Sequence, residues 1–143
     1  MTSLQDLYSI AEQNNIAVDC FELEKREALS LMDCSGSCYI AIDPCKLGSI
    51  QDERLKLAHE LGHCKTGAFY NQWAARDIRR KHENKADKWA IKKLIPEDEL
   101  DVAVLEGYCA LWDLADYFNV TEDFMRKAVC WYVHGNLAEE LYF

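Results

Sequence analysis

The chain has 143 residues, room for one domain and little more. Half of its residues are apolar and 29% are charged, the balance of a globular chain rather than a disordered or membrane-embedded one. Sixteen basic residues against 25 acidic ones leave a formal charge of −9, which argues against direct nucleic-acid binding, because that needs a basic face to displace counterions.

No run of ~18 uncharged apolar residues occurs, so no membrane-spanning helix is expected. The opening MTSLQDLYSIAEQNN lacks the basic and apolar regions of a secretory signal, and the expected location is cytoplasmic. The seven cysteines are odd in number, irregularly spaced and free of any C-x-x-C pair. They read as reduced thiols filling apolar space rather than a disulfide framework or a zinc ribbon. Cys34, Cys38 and Cys45 form a weaker candidate metal cluster.

Residues 3–14 predict a first helix, with Ser3 as cap and Leu4, Leu7, Tyr8 and Ala11 on one stripe. After Asn14-Asn15 the period changes. Val18, Cys20 and Phe21-Glu22-Leu23 predict a short strand. Ala28–Met32 and Cys38–Ile42 predict two more, joined by the turn-forming Asp33-Cys34-Ser35-Gly36-Ser37 and closed by Asp43-Pro44. From there on the pattern is helical, over about 49–67, 72–95, 97–105, 108–118 and 121–134, with Pro96 placed to open a helix. The coarse expectation is α+β: an N-terminal helix, a small sheet containing antiparallel strands, then helices. A single domain spans 1–143, with the sheet and active-site helices in 1–97 and a helical subdomain in 98–143.

The chain holds four histidines, and two of them stand in His59-Glu60-Leu61-Gly62-His63, an H-E-x-x-H pattern. Side chains four apart on an α-helix lie one turn above each other and about 40° apart around the axis, so both imidazoles can reach one ion. Glu60 follows the first histidine and can lean over a bound water without ligating. Leu57, Leu61, Cys64 and Ala68 share the stripe expected to face the core, with His59 and His63 on roughly the opposite side. The competing reading is a pair of hydrogen-bonded core histidines, which that stripe does not favour. A catalytic zinc site takes three protein ligands and leaves the fourth position to water. On the next helix Glu83, Ala86, Asp87, Ala90, Ile91 and Leu94 share one face, with Lys85, Lys88 and Lys92 opposite. Two carboxylates on an apolar face need partners. An ion would satisfy Glu83, and Asp87 could accept the free N–H of a ligand histidine. The alternatives are a favourable helix-dipole position or ion pairs with Arg76 or Arg79.

The segment RLKLAHELGH, followed some twenty residues later by ENKADKWAIKKLIP, resembles the ImmA/IrrE family of metallopeptidases. Its members share a HELGH helix and a second helix with a pattern close to E-x-E-A-[ND]-x-F-A-x-x-L-x-P. The likeness covers roughly residues 15–97. Lys85 stands where a second Glu is frequent and Trp89 where Phe is frequent, and neither touches a proposed ligand. The resemblance implies a zincin-like fold with the small sheet packed on the HExxH helix. It implies His59, His63 and Glu83 as ligands of Zn²⁺, with Glu60 as the catalytic carboxylate. It also implies a substrate, since members often occur in prophages and other mobile elements and cut a helix-turn-helix repressor encoded alongside them.

The reaction that follows is hydrolysis of a peptide bond, with Glu60 moving a proton from water to the leaving amine. Tyr70, His82, Tyr108 and His134 are candidate oxyanion donors, with His82 expected on the exposed side of its helix. Residues 111–129 have a helix-turn-helix pattern, with Ala115 as the small residue, Asn119-Val120 as the turn and Thr121 as cap. Glu122, Asp123, Asp113 and Asp116 would repel phosphates, so the segment is expected to pack through Trp112, Phe118, Phe124 and Trp131, or to dock a substrate protein. The EELYF tail has no assigned role. The competing functions are a non-catalytic zincin-like binding module and an acidic regulator acting through the C-terminal helices.

Overall fold

The computed structural model describes residues 1–71, 73–135 and 137. The chain is α+β, with six helices and a three-stranded mixed sheet among the described residues. It divides into two compact units, one over Thr2–Ala90 and one formed by Met1 with the chain from Ile91 onward. The EELYF tail lies outside the described residues.

In the first unit, α1 (Leu4–Gln13) starts in a capping box, in which Ser3 and Asp6 satisfy each other's backbone N–H, and it buries Leu7 and Ala11. Strands β1 (Ala17–Cys20), β2 (Ala28–Met32) and β3 (Cys38–Ile42) stand in the order β1-β3-β2. The last strand inserts between the first two, parallel to β1 and antiparallel to β2. Cys38, Ile40 and Ile42 point into the core while Tyr39 points out, the period-two pattern of a half-buried strand. β2 is therefore an edge strand with one side unpaired among the described residues. Asp33 closes the β2–β3 hairpin by accepting the N–H groups of Ser35 and Ser37, each at 2.9 Å.

The first strand stops at Cys20 and does not continue through Phe21-Glu22-Leu23. Asp43 draws that stretch away. Its buried carboxylate accepts the Leu23 N–H at 2.9 Å and the Cys45 N–H at 3.0 Å, and its own N–H donates to the Glu27 carbonyl at 2.9 Å. The 21–27 loop is thereby tied to the end of β3.

Helix α2 (Ile50–Thr66) is capped by Ser49 and ends at Gly67, whose φ of +67° is the left-handed turn that favours glycine. It packs on β2, β3 and α1. Helix α3 (Arg76–Leu94) begins four residues later than the pattern predicts. Asn71 holds the chain in a turn, its side chain accepting the Trp73 N–H at 2.8 Å and its carbonyl the Ala74 N–H at 3.1 Å. Gln72 lies outside the described residues.

The second unit contains α4 (Glu97–Leu105), with Pro96 as its N-cap, α5 (Leu111–Phe118) and α6 (Glu122–His134), capped by Thr121. α5 starts after Tyr108 because the end of α4 claims that stretch, through Gly107 at φ +103° and the Tyr108 N–H on the Ala103 carbonyl. Phe118 and Met125 are fully buried, whereas Trp112 is 59% exposed. Trp112 lies on the face of α5 turned away from Leu114, Ala115 and Phe118, which overrides its expected place in the core. Among the described residues no helix is long and apolar enough to cross a membrane.

Candidate metal centre

The HELGH helix is more enclosed than a two-faced helix. Leu57 and Leu61 are fully buried as the stripe predicts, yet Glu60 and His63 are also buried, at 7% and 5% exposure. The side bearing Glu60 and His63 lies inside the unit, at the floor of a cleft of about 600 Å³ bounded by β2, the 21–27 loop, Phe69 and Tyr70.

His59, His63 and Glu83 come together. His59 Nε2 lies 2.8 Å from one Glu83 carboxylate oxygen and His63 Nε2 lies 3.2 Å from the other. Both rings are held from behind. The His59 Nδ1–H donates to Asp87 at 2.7 Å, and the His63 Nδ1–H donates to the Ala68 carbonyl at 2.5 Å. These bonds leave each Nε2 aimed at the same spot, the arrangement that fixes the tautomer of a metal-ligating histidine. The Tyr70 hydroxyl donates to Glu83 Oε1 at 2.8 Å. Neither Arg76 nor Arg79 is needed to explain Glu83 and Asp87.

Glu60 stands beside this cluster with a different environment. Its Oε2 atom is buried and has no hydrogen-bond partner among the described residues. Burial raises its proton affinity above that of an ordinary carboxyl, against the opposing pull of the two histidines. Burial pushes the other way on His59, but the bonds to Asp87 and Glu83 outweigh it and hold the imidazolium up to about 10. Glu83 is likewise resisted by burial, yet the two histidines hold it well below the usual carboxylate range.

Two close approaches position these groups, and neither follows from residue spacing. A methyl group at Gly62 would lie 2.5 Å from the Ala86 carbonyl oxygen and 2.9 Å from its Cα, so only glycine lets α3 run this close to α2. Glu83 and Asp87 flank Ala86 on that helix. The turn at Gly67 brings the Ala68 carbonyl back onto His63. The glycine inside HELGH and the glycine at the helix end were the available signals.

The donor set suits a metal ion. The ligating atoms of His59, Glu60 and His63 lie within 4.8 Å of one another, and this group can hold a metal ion. Tetrahedral ligands ~2.0–2.1 Å from zinc sit roughly 3.3 Å apart. The His–Glu83 separations of 2.8 and 3.2 Å, each to a different oxygen of Glu83, are of this order. Cys34, Cys38 and Cys45 do not gather into such a group among the described residues.

Of the four candidate oxyanion donors, Tyr70 lines the cleft. His82 is half-buried rather than exposed, because its ring stacks on Tyr70 with centroids 6.2 Å apart. Tyr108 and His134 belong to the second unit. Comparison of the chain with protein-family models and with curated proteins finds no match.

Proposed function

We propose that this protein is a zinc-dependent endopeptidase of narrow specificity with a zincin-like site of the ImmA/IrrE type. The observation that carries the reading is the convergence of His59 Nε2 and His63 Nε2 on the Glu83 carboxylate, beside a buried Glu60 whose second oxygen has no hydrogen-bond partner among the described residues. His59, His63 and Glu83 would hold the ion, and Asp87 and the Ala68 carbonyl would keep the two rings aimed. Bound zinc supplies Lewis acidity toward a carbonyl and brings the pKa of water from 15.7 toward ~7.

Glu60 then acts as the proton carrier. Its burial makes it a stronger base than an exposed carboxylate, and it lies next to both histidines on the cleft floor. It takes the proton of the attacking water and delivers it to the departing amine. Tyr70 presents the one phenolic hydroxyl that lines the cleft among the described residues, and it becomes the donor for the developing oxyanion by turning its single proton away from Glu83. The free edge of β2 lies along the same cleft, and an extended substrate segment can pair with it through backbone hydrogen bonds. A regulatory protein such as a helix-turn-helix repressor is the proposed substrate, by the family likeness of the HELGH and ENKADKWA segments.

The test combines metal analysis with the Glu60→Gln variant. Purified protein should carry one equivalent of zinc, lost in His59→Ala and in Glu83→Ala. Glu60→Gln should keep the zinc and the fold and lose hydrolysis by at least a hundredfold. Stoichiometric zinc that survives removal of both His59 and Glu83, or unchanged cleavage by Glu60→Gln, would overturn the reading.

A further inference from the structure

The cleft differs in charge from the rest of the molecule. The chain carries −9 overall, yet three cations, Lys25, Arg26 and Lys56, line this one cleft against three carboxylates, Glu27, Glu60 and Glu83. Each carboxylate already has an assignment. Glu27 pairs with Lys56 at 3.2 Å. Glu83 faces the two histidines, and Glu60 stands on the cleft floor beside them. With a divalent ion in place the charges of Glu60 and Glu83 are offset, and Lys25 and Arg26 are left as an uncompensated pair. Neither makes an ion pair among the described residues.

Their placement is fixed by the backbone. Lys25 and Arg26 sit in the 21–27 loop, which Asp43 ties down at Leu23 and at Glu27, immediately before the free edge of β2. Both side chains are exposed on the cleft, so binding need not first desolvate a buried cation. Arg26 lines the same cleft as Glu60, Tyr70 and Glu83. A substrate strand paired with β2 would pass this loop as it leaves the metal centre. Guanidinium presents a planar fork of donors that matches a carboxylate.

We infer that Lys25 and Arg26 form a carboxylate-recognition subsite, so that the peptide cut here carries an acidic group close to the scissile bond. That group is an Asp or Glu side chain or the peptide's own C-terminus. The inference rests on the peptidase reading and adds the substrate class to it. The −9 charge of the chain opposes long-range attraction of acidic peptides, so this subsite acts by local selection rather than by steering.

The test uses the zinc-loaded full chain with a randomised dodecapeptide library, half free acid and half C-terminal amide, and reads cut sites by mass spectrometry. Asp and Glu should be enriched at least tenfold at one position within three residues of the cut. If the chain terminus is the group recognised, the free-acid half should instead be cut at least tenfold faster. The double variant Lys25→Glu/Arg26→Glu should abolish or invert the preference, and Arg26→Lys should retain part of it. A second readout does not need turnover. Fluorescence anisotropy with Glu60→Gln should show the best Asp peptide binding at least fivefold tighter than its Asn counterpart, with the gap closed by the double charge reversal. Cleavage with no carboxylate preference, or a preference that charge reversal leaves intact, overturns this inference alone. A library left uncut by a zinc-loaded protein overturns the peptidase reading as well.

Discussion

Replacing Gly62 by alanine tests whether the site is built by close contact between two helices. In the middle of a helix this exchange ordinarily stabilises by about 1 kcal/mol, because glycine loses more backbone freedom on folding. Here the added methyl would meet the Ala86 carbonyl oxygen at 2.5 Å. An ordinary carbon–oxygen contact is about 3.3 Å or more, so the two backbones must part by roughly 0.8 Å. The obstacle is main chain, which cannot rotate aside as a side-chain tip would. Overpacking of this kind costs about 1–3 kcal/mol, which exceeds the propensity gain at all but its lower end. With the cost in the middle to upper part of that range, the expected net effect is a loss of about 1–2 kcal/mol, read as a fall of roughly 3–7 °C in the melting temperature of metal-free protein. Glu83 moves with α3, and a ligand displaced by most of an ångström should weaken zinc binding by more than tenfold in competition with a chelating dye. A variant that melts at or above the parent would refute the reasoning, since it would mean that α2 and α3 do not meet at this glycine.

Further outcomes follow from the same geometry. Asp87→Asn should lower zinc affinity by about 10–100-fold with little change in fold, since the amide no longer anchors the His59 Nδ1–H as a charge, and an unchanged affinity by dye competition would remove Asp87 from the site. In metal-free protein His59 is raised to about 10 from an unfolded value of ~6.5, so its contribution is fully present below pH ~6.5 and is lost as pH rises through 10. Glu83 is shifted downward, so its contribution is present above ~4.5 and lost as pH falls further. Melting temperatures in chelator should therefore plateau between about pH 4.5 and 6.5 and decline toward pH 10, with the alkaline decline reduced in His59→Gln; a flat profile from 6.5 to 10 contradicts this. Because the His59 Nε2 proton must leave before an ion binds, zinc uptake near neutral pH should release at least one proton, measurable by calorimetry in buffers of different ionisation enthalpy. In the second unit Asn119 has φ +54°, so Asn119→Ala should cost about 1 kcal/mol while Asn119→Gly is tolerated, as thermal melts will show.

The sequence resolves what depends on local chemistry. The capping Ser3 and Thr121, the Asp33 hairpin and the strands at 28–32 and 38–42 follow from residue type and period, and they are found where expected. It misplaces boundaries where a side chain from elsewhere competes for the backbone, as Asp43 does for Leu23 and as Asn71 does at the start of α3. The candidate site divides in the same way. The His59–His63 spacing and the face shared by Glu83 and Asp87 are properties of single helices, and a periodic reading finds them. That the two faces meet depends on the α2–α3 contact at Gly62, which no period encodes.

The helical wheel also misjudges His63, because it assigns each residue to water or to a single core. In this unit the sheet and α1 pack on α2, while α3 approaches it at Ala86 and Asp87 and the Ala68 carbonyl bonds His63, so a polar face can be as buried as an apolar one. Enclosure is what gives that face its chemistry. An exposed Glu60 would be an ordinary carboxylate and an exposed His59 would titrate near its solution value. Shut inside the same unit, one is pushed toward basicity by burial and the other is held charged by two carboxylates. Within the cluster His59, Glu83 and Asp87 satisfy one another, and the buried Glu60 Oε2 is the atom left without a partner among the described residues. The same packing gathers His59, Glu60 and His63 into a group that can hold a metal ion.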